Sequence, residues 1–141
     1  MNKRSLGILT SISLGLILAF VFYHQTHLSV WGFNLSKNDI KDVIVLKENK
    51  SYLITDEDRV LMIANEISNM NKVEVTDSFP ISTAEFTKIL VRTKDNTTYG
   101  GSILIKGESI VQNSNGFYWN FNYKKLSNEL NSALKTASIL N

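Results

Sequence analysis

Two imidazoles are the whole histidine complement of this chain, His24 and His27, three residues apart. On a continued helix that spacing turns both rings to one side, as two ligands of one metal ion would need. A third ligand is not at hand, because there is no cysteine and the first carboxylate in the chain is Asp39. The pair therefore reads as interfacial, and no metal or other cofactor is expected. A Ser-His-Asp arrangement would require the domain to fold back over these two residues. No Gly-x-Ser-x-Gly, His-Glu-x-x-His or phosphate-binding Gly-Lys-Ser/Thr pattern occurs. Asp56, Glu57 and Asp58 have the chemistry of a cation site or of an acid/base pair, but three acids at a helix start are already explained by the positive end of the helix dipole. Ser and Lys are plentiful enough for a Ser-Lys dyad, with no particular pair singled out.

Recognition chemistry is denser than catalytic chemistry. Phe117-Tyr118-Trp119-Asn120-Phe121 is the richest aromatic cluster, and strand alternation sends Phe117, Trp119 and Phe121 to one face and Tyr118 to the other. With the Trp119 side as core, Tyr118 together with Tyr99 and Tyr123 is a candidate interaction surface. Gly100-Gly101, inside a strand pattern, marks a β-bulge or admits a ligand backbone.

The elements that must position these residues follow from hydrophobic spacing. After Lys3 and Arg4, Ser5 to Tyr23 is a run of roughly 19 residues without a charge, long enough to cross a hydrocarbon core of about 30 Å. It exceeds the usual signal-peptide apolar region and is followed by no small-x-small cleavage site, so a retained single-pass anchor is expected. Tyr23, His24, His27 and Trp31 then serve as membrane-interface anchors, and Lys3 with Arg4 place the N-terminus in the cytoplasm and the domain outside it. Gly7, Ser11 and Gly15 recur at four-residue spacing, a row through which two such helices could form a homodimer. Residues 1–24 are thus read as anchor, 25–40 as juxtamembrane tether and 41–141 as one domain.

Within that domain, 43–46 and 52–54 read as a hairpin, and Thr55 as the N-cap of a helix with Val60, Ile63, Ala64, Ile67 and Met70 on its apolar face. A strand over 72–76, a loop from Asp77 to Glu85 around the single proline, and strands over 86–93, 98–105, 108–112 and 117–121 form an antiparallel meander. The chain closes with a helix over 124–139, capped by Asn122. The fold class expected is α+β: a transmembrane helix followed by a small, mainly antiparallel sheet with two packed helices.

Composition narrows the function. Lys3 and Arg4 account for the formal net charge of +2, so the domain itself is neutral and nucleic acid is not expected as a partner. At Lys47 to Met70, KENKSYLITDEDRVLMIANEISNM, the chain resembles uncharacterised small surface domains of Gram-positive bacteria, in which a short hairpin runs into a helix through an Ile-Thr-Asp junction; the resemblance implies a membrane-anchored surface protein and assigns no activity or site residue. The expected function is a membrane-tethered, non-enzymatic interaction module of the cell envelope, its partner another envelope protein or a peptide. The alternatives are an envelope enzyme using carboxylates or a Ser-Lys pair, and an assembly protein self-associating through its membrane helix.

Overall fold

A computed structural model describes residues 3–75, 85–106 and 108–140 of the chain, and side chains over 11–75, 85–104 and 110–140. Helix α1 (Lys3–Thr26) leads into a short hairpin of β1 (His27–Val30) and β2 (Phe33–Ser36). A single 3-10 turn, Lys37–Asp39, delivers the chain to β3 (Ile40–Lys47), which turns back as β4 (Lys50–Ile54). Helix α2 (Glu57–Ser68) follows, then β5 (Asn71–Val73), the meander β6 (Phe86–Thr93), β7 (Thr98–Lys106), β8 (Glu108–Asn113) and β9 (Tyr118–Asn120), helix α3 (Tyr123–Ala133) and β10 (Ser138–Leu140). Among the described residues β3 to β10 form one eight-stranded antiparallel sheet in the order β10-β4-β3-β6-β7-β8-β9-β5. The loop expected over Asp77 to Glu85 lies, up to residue 84, outside the described residues, as does Gly107.

The sheet is built by period 2. Val43 and Val45 of β3, Ile89 and Val91 of β6, Ile103 of β7 and Val111 of β8 all turn to one face and are buried there. Onto that face pack α2, through Val60, Ile63, Ala64 and Ile67, and α3, through Leu126, Leu130 and Ala133. The N-cap of α2 is Asp56, whose carboxylate accepts from Arg59 N at 3.0 Å, one residue later than Thr55. Asn122 caps α3 by accepting from Lys125 N.

The N-terminal expectations are corrected. Among the described residues no helix is long and apolar enough to cross a membrane. The span read over Ser5 to Tyr23 is therefore withdrawn. The transmembrane helix in the expected fold class, the single-pass cell-membrane location, the extracytoplasmic placement and the signal-anchor and envelope assignments fall with it. Of the residues read as interface anchors, Tyr23 and His27 join the helix to the hairpin. Tyr23 and His27 stack at 4.2 Å, the Tyr23 hydroxyl accepts from Asn34 Nδ2 of β2, and His24 meets Phe20 edge-on at 4.3 Å.

Trp31 departs furthest from its expected place. It sits at the β1–β2 turn with φ +48°, followed by Gly32 at +83°, and its indole is 1% exposed in the core. A bulky residue in the left-handed region stores about 1–3 kcal/mol of strain. The indole lies on Gly101: a Cβ there would stand 2.6 Å from Trp31 Cζ2 and 2.7 Å from Val111 Cγ1. Gly100-Gly101 marks no bulge, since β6 pairs with β7 in continuous register through both glycines. Gly101 clears space for the protein's own tryptophan, whereas Gly100 faces Leu90 on the other side of the sheet.

The closing helix ends earlier than its apolar spacing suggests. Leu134 is the C-cap of α3, and Ser138–Leu140 leave the helix to pair with β4 in the register Ser138↔Leu53, Ile139↔Tyr52 and Leu140↔Ser51. Among the described residues the opposite sheet face carries one buried charge. Asp42, 2% exposed, accepts from Arg92 Nε at 2.6 Å and Nη2 at 2.7 Å, a bidentate pair that raises the guanidinium further above its ordinary value.

The β6–β7 turn supplies a pH-dependent element. Asp95 accepts from Thr93 Oγ1 at 2.5 Å, Thr97 N at 3.0 Å and Thr97 Oγ1 at 3.0 Å, and these bonds, the Thr93 hydroxyl first, hold its carboxyl below the usual value. A depressed native pKa contributes stability that is present above the unfolded carboxyl pKa and lost as the pH falls through the native one. Asp95→Asn is therefore expected to lower the melting temperature at pH 7. The gap from the unsubstituted protein should close as the pH drops below the carboxylate range; a gap constant down to pH 2 would refute this account.

Candidate functional site

A concavity lies at the β5 end of the sheet, where the last turn of α2, the β5–β9 ladder and the first turn of α3 meet. Local chemistry dictates this junction. Asn69 ends α2 as its C-cap, Met70 crosses to the sheet, and Asn122 starts α3 directly after β9. The resulting groove encloses about 800 Å³ and is lined by Glu66, Asn69, Asn71, Asn120, Phe121 and Lys124, among others. Asn71 and Asn120 are cross-strand partners. The amides of Asn69, Asn71 and Asn120 make no hydrogen bond to another described residue, whereas Lys125 is tied to Glu66 at 2.8 Å. A free primary amide offers two donors and an acceptor, the same complement as a peptide unit.

On the other side of Met70 a second cleft, of about 390 Å³, opens between the Trp31-Gly32 turn and the β8–β9 turn. Asn113 fixes its walls. Its buried amide donates to Trp31 O at 3.2 Å, and its Oδ1 accepts from Asn115 N at 3.0 Å and Phe117 N at 2.9 Å. Gly32 packs against the Trp119 ring, where a Cβ would stand 3.3 Å from Cζ2. Phe117 is 49% exposed at the rim, and the Lys72 ammonium lies 4.1 Å from its ring centroid. Trp31 Nε1 is buried without an acceptor among the described residues.

The three tyrosines expected to form one surface are placed apart. Tyr99 is on the core side of β7 with its ring 5.0 Å from Phe33. Tyr118 is on the opposite face, its hydroxyl accepting from Gln112 Nε2 at 2.9 Å. Tyr123 accepts from Phe86 N at 3.3 Å and meets Phe121 edge-on. His24 and His27 lie at the end of α1, and among the described residues no group of three or more His, Cys, Asp or Glu could hold a metal ion. Asp56, Glu57 and Asp58 are exposed at the start of α2, with Asp56 engaged as the cap.

The asparagines and Lys72 that line the two concavities were not singled out by sequence reasoning. Their signal is the crowding of Asn at element junctions, which in one dimension is indistinguishable from cap and turn chemistry. Comparison with protein-family models, with curated proteins and with solved structures yields no match.

Proposed function

We propose that this protein is a non-catalytic binding module that takes an extended polypeptide segment at the β5 end of its sheet. The observation that carries this reading is that, among the described residues, the amides of Asn69, Asn71 and Asn120 have no hydrogen-bond partner and the strand beside them has a sheet neighbour only at β9. An edge strand presents its outer N–H and C=O groups to an incoming chain, and strand addition draws its affinity from those main-chain bonds. The amides extend the same hydrogen-bonding pattern beyond the short β5.

The test is a titration of the isotope-labelled full chain with a pooled library of acetylated, amidated random heptapeptides, followed by NMR. Backbone amides of Asn71 to Val73 and the side-chain amides of Asn69, Asn71 and Asn120 are expected to shift together. The double substitution Asn71→Ala, Asn120→Ala should weaken binding about tenfold, as loss of two neutral hydrogen bonds implies. Shifts confined to another part of the molecule, or none at millimolar peptide, would overturn the reading.

A further inference from the structure

We infer that the cleft between the Trp31-Gly32 turn and the β8–β9 turn is the specificity pocket of that same surface, and that it takes an apolar side chain flanked at two residues' distance by a carboxylate. This rests on the strand-addition reading and deepens it. Successive residues of β5 serve different concavities: Asn71 lines the groove and Lys72 lines the cleft, with Met70 shared by both. A strand laid along β5 alternates in the same way, so every second ligand side chain is presented to the cleft. Residues i and i+2 of the ligand are therefore read there together.

The walls fix what those two residues are. Met70, Phe117 and Trp119 supply apolar surface, and a volume of about 390 Å³ accommodates a leucine- or phenylalanine-sized group. Lys72 is the single charged residue of the lining, and no described carboxylate pairs with it. Its ammonium rests on the Phe117 face, which holds it at the rim without neutralising it. Charge complementarity then calls for an acidic group beside the apolar one. The three hydrogen bonds of Asn113 hold the turn and the hairpin tip together before ligand arrives, so little ordering is left to binding.

The experiment uses the full chain and three peptides, Ac-Ser-Leu-Thr-Glu-Thr-Ser-NH2 and its versions with Gln for Glu and Ala for Leu, titrated by NMR at low and at 0.5 M salt. The parent peptide should shift Asn71 to Val73, Phe117 and the indole N–H signals of Trp31 and Trp119. The Gln version should bind about threefold and the Ala version about tenfold more weakly, with the Glu preference shrinking at high salt. Lys72→Met should erase the Glu-over-Gln preference while leaving the Leu-over-Ala preference in place, and Lys50→Met, exposed at the start of β4 and outside both concavities, should leave both unchanged. Equal affinities of all three peptides, with β5 amides still shifting, would overturn the pocket while strand addition stands. Absence of any shift at β5 would overturn both, and a Glu preference surviving Lys72→Met would place the acid-reading group elsewhere and refute this assignment.

Discussion

Substituting alanine for Gly101 is expected to lower the unfolding free energy by about 3 kcal/mol, the upper part of the range for overpacking a filled core. The added methyl would stand 2.6 and 2.7 Å from Trp31 Cζ2 and Cε2 and 2.7 Å from Val111 Cγ1. None of these atoms is the free end of a flexible chain. The indole is held by a turn with two positive φ values and by the Asn113 bond to Trp31 O, and Val111 is fully buried in a central strand. Gly100→Ala is the control, because its Cβ would meet Leu90 Cδ2 at 3.1 Å on the opposite face, where that side chain can turn away. Urea unfolding should place Gly100→Ala within about 1 kcal/mol of the parent. Shortening the ring in Trp31→Leu, Gly101→Ala should recover most of the Gly101→Ala penalty relative to Trp31→Leu alone, a coupling of about 2 kcal/mol. Equal midpoints for the two alanine variants would show that the ring is not seated on Gly101.

Arg92→Met is expected to cost about 3 kcal/mol, the lower end of the range for breaking a buried pair, because the guanidinium is itself partly exposed. The loss arises chiefly on the other partner: Asp42, 2% exposed in β3, would be left buried without the two donors that now meet it. Removing the charge as well, in Asp42→Asn, Arg92→Met, should therefore be milder than Arg92→Met alone. Chemical denaturation of the three proteins decides this, and a double variant less stable than the single would refute it.

The elements legible in the sequence were those whose spacing and burial agree locally. Val60, Ile63, Ala64 and Ile67 repeat at helical intervals and all face the sheet, and Asn122 stands before α3 where a cap belongs. Distant pairing decided the rest. Ser138–Leu140 continue the spacing of Leu126 and Leu130, yet bonds to β4 hold them as a strand. His27, Trp31 and Phe33 resemble an aromatic belt until the cross-strand pairs Leu28↔Leu35 and Val30↔Phe33 are seen. Gly101 had no readable purpose because its neighbour, Trp31, is remote in the chain. The candidate site was largely hidden for a related reason: junction asparagines become a surface only when the end of α2, the β5–β9 ladder and the start of α3 are brought together.

The strand order also sets a sequence of events. Chain neighbours β6, β7, β8 and β9 zip through short turns, and β3 closes on β4 in the same way, so these contacts form early and at little entropic cost. The two outermost strands depend on distant partners, β10 on β4 through Ile139 and Tyr52, and β5 on β9 through Lys72 and Trp119. Each is three residues long with one sheet neighbour among the described residues, so few hydrogen bonds hold it and it opens before the central strands do. The proposed recognition surface is thus built on an edge strand, which is expected to open more often than the central sheet. A bound peptide, by adding hydrogen bonds to β5, would slow that opening and protect the amides of β9 behind it.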